Sequence, residues 1–323
     1  MTRIEPEYKV IKQNALDFHL RLEIAGANLV IEDLNIDVEY VKTRASNPNK
    51  STVTIWNIAD DTFKRLLKNY AVDVYSWYGN DEPSLLFRGY IDPKRIIRMS
   101  AAAGRINTAK GFLASTVKQD NKGQFDIPTV IELIDSKINY MASKINKTYF
   151  SEVNTNQLIN DCIEAMGVGV GFISKNLPVK TYKNGYKLIG KPHIVLKTIL
   201  NGLGAKFNVT NSFIYIQMPT DKNNSTYAVV LNPQNSMQPD QQSDDTIIIN
   251  TQLIPFLNAN DWIKLDFKEL QGLEQAYEIR GKCNNYGTAG TTDVVIKVPI
   301  KKEKKKRKKR GRKAKRKKGT INE

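Results

Sequence analysis

Polar and apolar residues alternate over roughly the first 110 positions, which is the pattern of half-buried β-strands. The run FHLRLEI at residues 18–24 is the clearest case, and Val53 and Ile55 repeat it after a turn cluster at 47–49. One short helix interrupts these strands, with Asp60 or Asp61 as its predicted N-cap. Further strands are predicted at three runs: Val72–Tyr78, Leu85–Ile91 and Arg105–Leu113. Many short strands with small gaps favour a small barrel or a sandwich.

The apolar spacing changes after residue 126. Six apolar residues follow one another at intervals of four, three, four, three and four positions: Ile127, Ile131, Ile134, Ile138, Met141 and Ile145. This spacing predicts an amphipathic helix within the segment 121–150, and Pro128 suits its first turn. Two interpretations stay open, because the apolar stripe could cover a core or form a heptad-like seam against another subunit.

Residues 151–225 combine both periods and are predicted to form a mixed α+β segment. One helix begins near Asn154 or Thr155 and carries Cys162 on its apolar face. A second helix ends at Gly204, which suits the left-handed position after a helix. A hairpin follows with Asn211 and Ser212 as its turn.

Residues 226–300 return to the strand pattern. The predicted strands are Ala228–Leu231, Thr246–Gln252, Ile263–Phe267, Ala276–Lys282 and Asp293–Pro299. The order along the chain is therefore a first β-rich domain (1–120), a helical segment (121–150), an α+β middle domain (151–225), a second β-rich domain (226–300) and a tail (301–323). The fold class is α+β, mainly β.

The charge of the chain is concentrated at its end. The full chain has a net charge of +16, whereas residues 1–300 hold 34 basic and 31 acidic residues. Residues 301–318 alone contain fifteen lysines and arginines and one acid. Such a segment repels itself and buries no apolar surface, so we expect a disordered polybasic tail.

The polybasic tail is the predicted polyanion-binding site. Its binding residues are Lys304, Lys305, Lys306, Arg307, Arg310, Arg312, Lys313 and Arg316. Nucleic acid, an acidic protein surface and anionic lipid headgroups would all suit these charges, and a role in solubility alone stays open.

No catalytic, cofactor-binding or metal-binding residues are predicted. The chain has two histidines, and neither His19 nor His193 lies in a cluster with ligand spacing. The glycines between Gly167 and Gly171 follow a helix instead of a strand, so a helix-to-strand turn is favoured over a phosphate loop. Cys162 and Cys283 are expected to be reduced thiols. No apolar run reaches the length of a membrane span, and no secretory signal is predicted at the start. An enzyme, such as a cell-wall hydrolase, is therefore not expected.

Several motifs resemble those of phage tail baseplate hub proteins. In the first β-rich domain they are STVTIWNI at Ser51–Ile58 and LFRGYI at Leu86–Ile91. In the middle domain they are the helix Leu158–Met166, GVGFIS at Gly169–Ser174, and the run Val195–Ile216. In the second β-rich domain they are Leu253–Phe267 and Ala276–Gly287.

The chain departs from the family pattern at three places. Asn260 stands where the family usually has glycine, and asparagine accepts the left-handed turn conformation. The closing motif at Ala276–Gly287 lacks the histidine that is usual there, and the polybasic tail is not part of the pattern.

The resemblance implies two small antiparallel β-barrels with an α+β domain between them, related to the spike base of type VI secretion systems. It also implies a homotrimer in the virion baseplate, made in the bacterial host cytoplasm, that joins a hexameric tail tube protein to a trimeric spike protein. The tape measure protein and DNA are candidate partners for the tail, and no membrane insertion is expected. The alternative function is that of a nucleic-acid-binding or polyanion-binding protein acting through residues 301–323.

Overall fold

The computed structural model describes residues 7–10, 17–67, 71–98, 126–135, 142–218, 221, 227–243, 245–287 and 290–297. The fold is mainly β, as predicted, and the described part contains three α-helices. These are α1 (Asp60–Leu66), α2 (Thr155–Met166) and α3 (Pro192–Gly202). Residue Ala59 is the N-cap of α1, so the prediction of an aspartate cap was wrong, and both aspartates lie in the first turn.

The strands before the middle segment are β1 (Glu7–Val10), β2 (Phe18–Ile24), β3 (Leu29–Ile31), β4 (Ile36–Thr43), β5 (Lys50–Trp56), β6 (Ala71–Tyr78), β7 (Ser84–Arg98) and β8 (Pro128–Ile134). Those within it are β9 (Ile145–Tyr149), β10 (Val153–Asn154), β11 (Gly169–Ile173), β12 (Thr181–Tyr182), β13 (Tyr186–Gly190), β14 (Lys206–Thr210) and β15 (Phe213–Gln217). Those after it are β16 (Tyr227–Leu231), β17 (Asp240–Ser243), β18 (Thr246–Gln252), β19 (Trp262–Asp266), β20 (Gln271–Asn284) and β21 (Thr291–Lys297).

Most strands predicted from alternation are confirmed. In β2, Leu20, Leu22 and Ile24 are buried while the residues between them are partly exposed. The strand β4 has no counterpart among the predicted elements, although its pattern alternates in the same way. The strand predicted at Arg105–Leu113 lies outside the described residues.

The two β-rich blocks form one sheet instead of two separate units. Strand β20 of the late block pairs antiparallel with β4 of the early block, from Glu278 opposite Thr43 to Asn284 opposite Asp37. The paired strands run in the order β1-β16-β19-β20-β4-β5-β8-β7-β6-β2-β3, with β21, β18 and β17 joined through β20. Buried apolar residues of both blocks belong to one core. The expectation of two separate, closed barrels is not met among the described strands.

The helix predicted from the stripe at 127–145 was wrong over residues 128–134 and at Ile145, which lie in strands. Residues Pro128–Ile134 form β8, which pairs with β5 on one side and β7 on the other. Residues Ile145–Tyr149 form β9, and residues 136–141 lie outside the described part. Because β8 is central and its first four residues are all buried, its apolar residues do not alternate.

Residues 142–218, called the middle unit below, have a hydrophobic core of their own. Helix α2 packs against α3, and β11 pairs parallel with β15, which pairs antiparallel with β14. The predicted caps are confirmed, because the Asn154 side chain accepts a hydrogen bond from the Gln157 backbone N–H at 3.0 Å. Gly204, just beyond the C-cap of α3, has φ +75°. The domain boundaries given above stay predictions.

Candidate functional site

A network of buried polar side chains lies where the early strands, the late loop after β18 and the middle unit meet. Its centre is Asp135, which directly follows β8 and is fully buried. The Asp135 carboxylate accepts hydrogen bonds from the backbone N–H groups of Asn211 at 2.7 Å and Ser212 at 2.5 Å. A third bond comes from the Asn49 amide at 3.1 Å.

The local chain geometry aims these donors at Asp135. Asn211 and Ser212 have φ of +53° and +66°, so the tight turn between β14 and β15 has both central residues in the left-handed region. That turn presents its backbone N–H groups to the carboxylate on the early block. The turn predicted from sequence therefore also contacts the sheet, and it is one of the places where the middle unit is attached to it.

Asn49 extends the network to the β4–β5 connection. Its side-chain N–H₂ also donates to the carbonyl of Val209 at 2.9 Å, and its side-chain oxygen accepts from the Thr43 backbone N–H at 2.8 Å. The Asp135 backbone N–H donates to the Asn49 carbonyl at 2.9 Å. Asn49 thus contacts β4, the end of β8 and the middle unit at once.

Lys42 links β4 to the late block. It occupies an inward position of β4 and is fully buried, with Nζ 3.0 Å from the Leu257 carbonyl and 2.8 Å from Asn258 Oδ1. Burial lowers the pKa of Lys42 to about 8, against the opposing effect of the nearby Asp261 and Asp135 charges. Burial also raises the pKa of Asp135 to about 6, although its three hydrogen-bond donors favour the charged form.

Asn260 completes the contact between the late loop and the middle unit. Its φ is +83°, which confirms that asparagine adopts the left-handed conformation where the hub family usually has glycine. Its side-chain N–H₂ donates to Asn208 Oδ1 on β14 at 3.2 Å. An asparagine can therefore add a hydrogen bond that glycine could not make.

This network has the properties of a positioning site and not those of a reactive centre. Its groups hydrogen-bond one another between three parts of the chain, and buried polar groups held in this way favour one relative orientation of those parts. The sequence signal that could have revealed it is Lys42, a charged residue in phase with the apolar Ile36, Val38 and Tyr40 on one face of β4.

The residues singled out in the sequence have ordinary structural surroundings. Cys162 and Cys283 are buried free thiols, and burial raises the pKa of Cys162 to about 12. His19 lies on the outer face of β2 as predicted, 2.9 Å from Asp17 and stacked on Trp77. Gly167 ends α2 in the left-handed conformation, so the predicted helix-to-strand turn is confirmed.

The predicted polyanion-binding residues, Lys304 to Arg316, all lie outside the described residues. Within the described ranges, no group of three or more His, Cys, Asp or Glu side chains is arranged to hold a metal ion. No helix of the described part is long and apolar enough to cross a membrane.

The fold is that of phage tail proteins. The 43 kDa tail protein of prophage MuSo2 from Shewanella oneidensis is similar with a TM-score of 0.58 and 10% identity, over 87% of this chain and 98% of that protein. A tail protein from Neisseria meningitidis is similar with a TM-score of 0.57 and 8% identity, over 87% of this chain and 97% of that protein.

A type VI secretion system component from E. coli, itself structurally similar to the T4 bacteriophage tail proteins gp27 and gp5, matches with a TM-score of 0.54. Its identity is 11%, over 87% of this chain and 77% of that protein. No protein-family model and no curated protein sequence matches the chain. The resemblance to phage tail proteins noted in the sequence is therefore confirmed at the level of the fold.

Proposed function

We propose that this chain is a structural baseplate hub of a phage tail or a related contractile injection machine. The observation that carries the proposal is the fold. It is shared over 87% of this chain with two phage tail proteins, and the match covers 98% and 97% of those proteins. As a hub, the chain would form a homotrimer that joins a tail tube protein on one side to a spike protein on the other. Its place would be the virion baseplate, and its role would be non-enzymatic.

The continuous sheet supports this proposal because it gives each subunit a large, stiff wall with both β-rich blocks in one piece. Three such walls would present six related blocks around a central axis, which suits contact with a hexameric tube. The buried network at Asp135 would hold the middle unit at a fixed angle to this wall. A part that transmits force between tube and spike needs such a fixed angle.

The purified full chain is expected to run as a trimer in native mass spectrometry, at three times 36.6 kDa. Removal of residues 301–323 should leave the trimer intact, and so should moderate salt, because burial of apolar surface is insensitive to screening. A chain that stays monomeric at micromolar concentration, with and without the tail, would contradict the hub proposal.

A second candidate function rests on the fifteen basic residues between 301 and 318. In this case the tail binds a polyanion, such as the phage genome, without sequence preference. In filter-binding assays with duplex DNA, the full chain should bind with a steep salt dependence, with a slope of about −0.9 for each phosphate neutralised.

The matched control for the tail is the chain ending at residue 300, which keeps the near-neutral part of the protein. This variant should lose most of the DNA affinity and of the salt slope. Unchanged affinity and slope would show that residues 301–323 are not the binding element. The oligomeric state is measured separately by native mass spectrometry, so neither result of the DNA-binding assay decides the hub proposal.

A further inference from the structure

A cleft of about 340 Å³ lies between the β4–β5 turn at residues 44–47 and the C-terminal half of α3. One wall therefore belongs to the continuous sheet and the other to the middle unit. The floor is apolar and consists of the buried side chains Leu200, Ala205 and Phe207. The rim carries three cations: Arg44, Lys197 and Lys206.

All the charged side chains that line this cleft are positive. No carboxylate is among its lining residues, and none of the three rim cations forms an ion pair with a carboxylate of the described part. The middle unit as a whole contains nine lysines and three acidic residues over 142–218, although residues 1–300 are nearly neutral. Cations gathered around a concave apolar surface concentrate a positive potential there.

Of the three rim cations, Arg44 is the one whose charge is partly removed from water without a carboxylate partner. It is partly buried, and this burial lowers the pKa of its guanidinium from the ordinary value. A partly desolvated cation beside an apolar floor gains more from an anion than an exposed lysine does, because less water is available to screen the contact.

We propose that this cleft binds an acidic peptide segment of a partner protein, with a carboxylate between the rim cations. An apolar floor with a few charged groups at its edge is the usual form of a site that takes a small ligand. A volume of about 340 Å³ holds one or two side chains and is too small for a duplex. Phe207 is 5% exposed, so it offers no free ring on which a nucleic-acid base could stack.

The test is hydrogen–deuterium exchange on the full chain, read peptide by peptide so that binding at the tail and in the cleft are separated. The probe is a short peptide of alternating glutamate and leucine, with the glutamine–leucine peptide and a thymidine oligonucleotide as comparisons. The glutamate peptide should slow exchange at residues 44–47 and 197–206, and the glutamine peptide should not.

The variants Arg44→Gln and Lys206→Gln should each weaken this local protection by about tenfold, which corresponds to one charge-assisted contact. Lys187→Gln is the matched control, because Lys187 is an exposed lysine of β13 in the same middle unit and does not line the cleft. It should bind as the unchanged chain does. Exchange elsewhere in each variant reports whether the variant is folded.

Three results would overturn the proposal: no local protection, equal protection by the glutamine peptide, or protection by the oligonucleotide alone. An equal loss of protection in Lys187→Gln would also overturn the proposal, because the overall positive charge of the middle unit would then explain the binding without the cleft. Mass measurements on the same samples report the trimer independently, so failure here and failure of the hub proposal are distinguishable.

Discussion

Replacing Gly281 by alanine is expected to destabilise the folded chain by about 3 kcal/mol. Gly281 lies on β20 opposite Tyr40 on β4, at the point where the late block joins the early one. A Cβ atom at this position would lie 2.2 Å from Tyr40 Cζ and 2.3 Å from Cε1. The tyrosine ring is 2% exposed and fills the shared core, so it cannot swing away without leaving a cavity. Urea denaturation followed by circular dichroism measures the change.

Two controls separate the clash from a general effect of adding a methyl group. A Cβ atom at Gly202, the last residue of α3, would have no neighbouring atom within 4 Å, so Gly202→Ala should not destabilise the chain and should raise its free energy of unfolding by at most about 1 kcal/mol. In the background of Tyr40→Ala, the Gly281→Ala substitution should have little further effect, because the clashing ring is gone. Equal costs with and without the ring would show that Tyr40 does not cause the destabilisation.

Replacing Asp135 by alanine is expected to destabilise the chain by about 3 kcal/mol, because the backbone N–H groups of Asn211 and Ser212 and the Asn49 amide lose a buried acceptor. The loss should be greatest for the contact between the middle unit and the sheet. Hydrogen exchange should therefore accelerate at the 208–213 turn more than in β6, which pairs with β2 on one side and β7 on the other. Urea denaturation gives the total change in stability.

Asp266→Ala is the matched control, since Asp266 is an exposed carboxylate at the end of β19. It should leave both the stability and the exchange of the turn within error of the unchanged chain. If Asp135→Ala behaves like this control, the network does not fix the middle unit, and the positioning role assigned to it fails.

The local elements were largely readable from the sequence because their signals are local. The alternation in β2 follows from one face on the core and one on solvent, and the caps at Asn154 and Gly204 follow from backbone hydrogen bonding and φ alone. The helix predicted from the apolar stripe at 127–145 was wrong for the opposite reason, because a non-local effect decides the pattern there. In β8 both faces are covered, so burial replaces alternation with a nearly continuous apolar run that a helix could share.

The candidate positioning site could be predicted only in fragments. The turn at Asn211–Ser212 and the left-handed Asn260 were both expected, but as isolated turns. The bonds of the turn to Asp135, of Asn260 to Asn208 and of Lys42 to the late loop join residues 52 to 216 positions apart in the sequence, which no local pattern encodes.

The sequence by itself determined the strand-rich character, the mixed middle segment, the caps, the charge of the tail and the resemblance to tail proteins, since each depends on residues close together in the chain. Only the tertiary structure decided that the two β-rich blocks share one sheet and one core, through the pairing of β4 with β20. The physical reason is that the free edge of a strand accepts any partner of suitable register. Which edges meet is decided by how the whole core packs, and in the register observed the lack of a side chain at Gly281 leaves room for the Tyr40 ring.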